Sequence, residues 1–127
     1  MTHPSATTVS IVAGPLVGPV LRRVVGMMAA RADLPLDRLD DAILVSDVIS
    51  ERAPRHVRDS AVVVVLEPGD RSLSLRVGPF DPGGCKALVA SAAVPGVGNV
   101  IEQLADELTI VPQDGSEYLV LRLTYSQ

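Results

Sequence analysis

Aromatic residues are nearly missing from this sequence: two residues are Tyr, one is Phe and none is Trp. Any core must therefore be packed from Val, Leu, Ile and Ala, and apolar residues of all kinds supply almost half of the chain. Cysteine is scarcer still. The single Cys85 excludes an internal disulfide and a Cys-based zinc cluster, so a reducing cytoplasm is the simplest home. Long apolar runs are absent too. The most apolar stretch, residues 11–30, is interrupted by Gly14-Pro15, Gly18-Pro19 and Arg22-Arg23, whereas a spanning helix needs about 20 mostly apolar residues. No membrane span is implied, and the opening "MTHPSATTVS" lacks the charged and apolar regions of a signal peptide. Nor does one sign of charge dominate. The formal net charge is -4, with acids and bases interspersed, which gives no nucleic-acid footprint. The 127 residues fit one domain with one core: residues 1–6 read as a disordered tail and 7–127 as the domain.

What is present is clear periodicity. "TTVSIVA" (7–13) is β-branched and stops at Gly14-Pro15, as a strand does. Val17, Val20, Leu21, Val24, Val25 and Met28 then recur at helical spacing, with Arg22 and Arg23 outside the stripe and Pro19 tolerable in a first turn. Asp33 and Pro35 signal a second helix start, and Asp37, Asp40 and Asp41 suit the positive end of its dipole. That helix should run over residues 36–53, burying Leu36, Leu39, Ile43 and Ile49, until Pro54 stops it. "AVVVVLE" and "RSLSLRV" flank Pro68-Gly69-Asp70 and predict a hairpin; "GPFDPGG" (78–84) reads as a loop. An Ala-rich helix at "CKALVASAA", a helix at about 98–107 and a closing hairpin around Gln113-Asp114-Gly115 complete the chain. The order β, α, α, β, β, α, α, β, β places hairpin strands side by side and the paired helices on one face. The expected fold class is α+β: a two-layer α/β sandwich with a mostly antiparallel sheet.

"LPLDRLDDAILVSDVISERAPRH" resembles the first signature of the histidine-kinase-like ATPase superfamily, in its small bacterial anti-sigma factor and serine-kinase branch. "GVGNVIEQLADELTIV" resembles the glycine-containing segment that ends that family's nucleotide lid, and "GSEYLVLRLTY" its terminal strand. The resemblance spans residues 8–125 and implies ATP and Mg²⁺ as cofactors. Asp47 matches the acidic position that acts as general base, and Glu51 stands where the family has a magnesium-binding asparagine. Residues four apart share a helix face, so both can address one ligand. Gly96 and Gly98 match glycines that let backbone amides approach phosphate, while Asp81 and Gly83 belong to the loop that reads the base.

The departures weaken the nucleotide part of this reading. "LRVGPFDPGG" keeps Phe80-Asp81-Pro82 but puts Gly78 about where the family's adenine-reading aspartate stands. Asp81 substitutes only with a shifted loop. Glu51 is an acceptable Mg²⁺ ligand, yet beside Asp47 it adds charge facing a triphosphate. The bland alternatives are a solvated helix face with a Glu51–Arg55 pair, and glycines that only form turns. His3 and His56 make neither a metal site nor a triad, Cys85 is read as packed, and Met27 and Met28 extend the first helix's stripe. The resemblance therefore implies an anti-sigma-like regulatory protein, with ATP binding weakened or lost. It would be a homodimer using its first helix and bind a sigma factor or an anti-sigma antagonist. The alternatives are an active Mg-ATP-dependent serine kinase phosphorylating an antagonist protein, and an unrelated sandwich with a structural or small-ligand role.

Overall fold

A computed structural model describes residues 6–126. The expected tail, with His3, falls on residues 1–5, which lie outside the described residues, and only Ala6 of it is seen. The chain begins with β1 (Thr7–Val12), α1 (Val17–Arg31) and α2 (Leu36–Arg52), followed by a single 3-10 turn over Ala53–Arg55. A hairpin of β2 (Ala61–Gly69) and β3 (Ser72–Phe80) leads into α3 (Gly84–Ser91). Two short strands, β4 (Ala93–Val94) and β5 (Gly98–Asn99), then precede α4 (Val100–Leu104), β6 (Glu107–Gln113) and β7 (Ser116–Thr124).

The five long strands form one antiparallel sheet in the order β1-β2-β3-β7-β6, and the helices lie on one of its faces. The expected two-layer α/β sandwich is what the chain forms. Alternation decides the covered face. Val62, Val64 and Leu66 on β2, Leu73, Leu75 and Val77 on β3, and Leu119, Leu121 and Leu123 on β7 are wholly buried. Their neighbours Val63, Val65, Arg76, Val120 and Arg122 face the other way and keep contact with water. Register puts Leu66 beside Leu75 and Leu75 beside Leu121, so the aliphatic rows run across three strands. Leu21, Val25 and Met28 of α1, Val45 and Ile49 of α2, Leu88 of α3 and Ile101 of α4 close over them. Each such side chain contributes about 1.5–3 kcal/mol on leaving water. No helix among the described residues is long and apolar enough to cross a membrane.

Several expectations need correction. Leu36 is 74% exposed, because the buried stripe of α2 is Ala42, Val45, Ser46 and Ile49, and Leu36 falls on another side of the helix. Residues 78–80 are not loop but the end of β3, held there by the buried Phe80 ring and its bridge to Val57. The helix expected at 98–107 is only Val100–Leu104, preceded by the unforeseen β4-β5 hairpin. Ala105 is already extended, and the Asp106 carboxylate accepts the Thr124 N–H at 2.7 Å, drawing the chain into the sheet.

Arg38 fastens the start of α2 to this end of the sheet. It donates to Thr124 O at 3.0 Å, to Asp41 at 2.7 Å and to Asp106 at 2.5 Å. Partial burial opposes ionisation of Asp106, but the Thr124 N–H and the Arg38 guanidinium outweigh it and hold the carboxyl below its ordinary 3.8. A depressed folded value means the stabilisation is present above pH 3.8 and lost as pH falls through the lower folded value. Asp106→Asn should lower stability near neutral pH by no more than about 1 kcal/mol, the Asp106 side chain being 45% exposed, and flatten the acid limb of the stability profile. Urea unfolding across acidic to neutral pH checks both.

Candidate functional site

The two carboxylates singled out from the sequence come together. Asp47 and Glu51, one turn apart on the second half of α2, line a cavity of about 420 Å³ with Ser50, Pro54 and the entrance to α1, Gly14, Pro15 and Gly18. The small residues of the α1 entrance leave this space open; a Cβ on Gly14 would meet nothing within 4 Å. The Arg22 guanidinium stands 3.5 Å from Asp47, both side chains well exposed, an arrangement worth less than about 1 kcal/mol in water. Ser50 turns its hydroxyl back to Ser46 O at 2.6 Å. Among the described residues Glu51 makes no ion pair, so the bland Glu51–Arg55 pairing does not form.

Asp81, Gly83, Gly96 and Gly98 do not line that cavity. Asp81 is exposed in the turn before α3, with its N–H given to His56 O and its own carbonyl accepting from Gly84 N. Gly83 follows at φ 87, a left-handed conformation that favours glycine, and starts α3. Its N–H and that of Cys85 both donate to one carboxylate oxygen of Glu117 on β7, at 3.1 and 3.0 Å. Backbone donors at a helix start are the groups that hold a phosphate, and here the chain's own carboxylate stands in that place.

The other glycine segment is braced by neighbouring side chains. Gly96 and Gly98 bracket the β4-β5 turn at φ 79 and 99. A Cβ on Gly98 would lie 2.5 Å from the Gln103 amide nitrogen, which donates to Val97 O at 2.6 Å. Asn99 caps α4 by accepting the Glu102 N–H at 3.1 Å and ties the turn to α3 through Val89 O at 2.7 Å. Within the turn the Val97 N–H donates to Val94 O at 3.0 Å.

Gly78 also has a physical reason. A Cβ there would lie 2.6 Å from the Tyr118 ring, and the Arg76 guanidinium stacks 4.5 Å from the centre of the same ring. The position faces the same side of the sheet as Tyr118 and Arg76, and a larger side chain at residue 78 has no room there. The wholly buried Cys85 is inert: burial, then the charge and hydrogen bond of Glu117, push its thiol up to about 12.

Sequence reasoning missed Glu117 and Tyr118. Both lie on β7, some thirty to forty residues from the amides and the glycine they oppose, and no local spacing links them. The phosphate-type amides and the acidic pair are not brought to one site. The Gly83 and Cys85 amides at the start of α3 already have an acceptor in Glu117, and they do not line the cavity of Asp47 and Glu51. Among the described residues no group of three or more His, Cys, Asp or Glu is placed to hold a metal. No protein-family model matches this chain, and no curated protein matches it.

Gly78→Ala should cost about 1–3 kcal/mol through the clash with Tyr118, and much less in a Tyr118→Ala background. A double-mutant cycle by urea unfolding reads this coupling; equal costs in both backgrounds would contradict the packing described.

Proposed function

We propose that this chain is an anti-sigma-like regulatory domain that works in the cytoplasm by binding a sigma factor or an antagonist protein, with ATP binding weakened or lost. The observation that carries this reading is the Glu117 carboxylate on the Gly83 and Cys85 amides, where a nucleotide-using relative would need donors free. Binding there requires Glu117 to leave, and its negative charge repels a polyphosphate meanwhile. The glycine at position 78, held against Tyr118, supports the same view. Leu36, Leu44 and Val97 are large apolar residues at the surface, the kind of contact a protein partner uses.

A second reading, an active Mg-ATP-dependent serine kinase, is favoured by the shared cavity of Asp47 and Glu51. The two readings separate cleanly by titration calorimetry with ATP and ADP, with and without Mg²⁺. The regulator reading expects no heat of binding up to millimolar nucleotide. It also expects a stoichiometric complex with a sigma factor of the same cell, kept within about twofold in Asp47→Ala and Glu51→Ala. Micromolar, magnesium-dependent ATP binding abolished by either substitution would replace it with the kinase reading, and failure to bind any sigma factor or antagonist would overturn the partner assignment.

A further inference from the structure

At the opposite end of α1 from the Asp47 cavity lies a second, mostly polar cavity of about 310 Å³. Three segments build it: Arg31, Ala32 and Asp33 where α1 ends, Asp70 and Arg71 in the β2-β3 turn, and Tyr125 just after β7. Tyr125 ties the other two together. Its N–H donates to Arg71 O at 3.1 Å and its hydroxyl donates to Ala32 O. Four charged side chains therefore surround a fixed floor, Arg31 and Arg71 with Asp33 and Asp70, and none of them makes an ion pair among the described residues. Their charges are felt at one place: burial, then Asp33 and Asp70, push the Tyr125 hydroxyl above its ordinary value, and Arg71 opposes them. Asp33 and Arg71 stand at φ 55 and 52, two of the three left-handed residues other than glycine that are described. Glycine or asparagine suits such a turn position better than arginine does, so the Arg71 guanidinium is kept at a cost in backbone strain. Residues strained in this way gather at ligand clamps and switch regions.

We infer that this cavity binds a small zwitterion, a free α-amino acid, whose carboxylate meets Arg31 and Arg71 and whose ammonium group meets Asp33 and Asp70. The balance of charge selects this class. A simple anion is drawn by two guanidinium groups and repelled by two carboxylates, and a simple cation meets the reverse, so neither gains much. A molecule that carries both charges is attracted by all four side chains. The guanidinium fork offers a carboxylate paired N–H donors, which a single ammonium does not. At the other end of the ligand, the carbonyl terminus of α1 favours a positive group beside Asp33. Size agrees with a ligand of this kind: about 310 Å³ lies at the low end of the range for small-molecule sites, roughly 300–1,000 Å³. No residue of the Asp47 cavity or of the α3 start takes part, so the inference stands whether or not a nucleotide or a partner protein binds.

The test is titration calorimetry of the purified full chain with each of the twenty amino acids in turn. Acetate and methylammonium serve as probes of single charge, and triglycine as a zwitterion whose charges stand too far apart. At least one amino acid is expected to bind with a dissociation constant below about 1 mM, and the three other probes at least about tenfold more weakly. Arg31→Gln and Asp70→Asn, both at exposed positions, should each weaken that binding about tenfold. Arg71→Gly, which suits the left-handed turn, should keep the melting temperature and still lose the ligand, a pairing that a purely structural role for Arg71 does not produce. This variant keeps the test decisive if the other two fail to fold. Silence from all twenty up to about 10 mM would overturn the inference, as would acetate or triglycine binding as tightly as the best amino acid, or binding indifferent to the substitutions.

Discussion

Aliphatic side chains at every second position of β2, β3 and β7 decide which face of the sheet leaves water, and the remaining architecture follows from that choice. Without large rings to bridge the layers, the contact must be close and continuous, which Leu66, Leu75 and Leu121 achieve by standing in register beneath the helices. Interiors of this kind are packed to the density of organic crystals. The opposite face is left half wet, with Arg76 stacked over Tyr118, and the helix layer runs out before β6. Both the crowding at Gly78 and the exposure of Ile110 at the far edge are consequences of this one-sided packing.

The same economy explains the candidate site. A helix that begins on a left-handed glycine leaves N–H groups that need acceptors. At α3 the acceptor is supplied from β7, whose place beside β3 brings Glu117 to the helix start. A carboxylate that ends this need also removes the most direct means of holding a phosphate. The Asp47 and Glu51 cavity remains open, but it is bounded by the entrance of α1 rather than by the glycines of α3 and the β4-β5 turn. The acidic stripe of α2 and the phosphate-type amides are therefore separate features of this molecule.

Much of the fold was legible because its elements obey local periodicity. The stripe of α1, the Pro54 stop of α2 and both long hairpins follow from spacing and turn chemistry. What was not legible depends on distant residues. Phe80 draws residues 78–80 into β3 by burial, and Asp106 ends α4 by accepting from Thr124, eighteen residues on. Leu36 misled because a hydrophobic residue in a helix's first turn need not lie on its buried stripe. In the site, the pairing of Asp47 with Glu51 was readable from an i, i+4 spacing, whereas Glu117 carries no sequence signal until the sheet order places it.

The central claim is that the amides at the start of α3 are occupied by Glu117 and closed to nucleotide. The most direct measurement follows the backbone amide resonances of Gly83 and Cys85 in a nitrogen-proton correlation spectrum while Mg-ATP is added. Occupied amides predict that both signals stay in place up to millimolar nucleotide and move together in Glu117→Gln, where the charged acceptor is gone. A saturable shift of both signals with Mg-ATP in the unaltered chain would contradict the account.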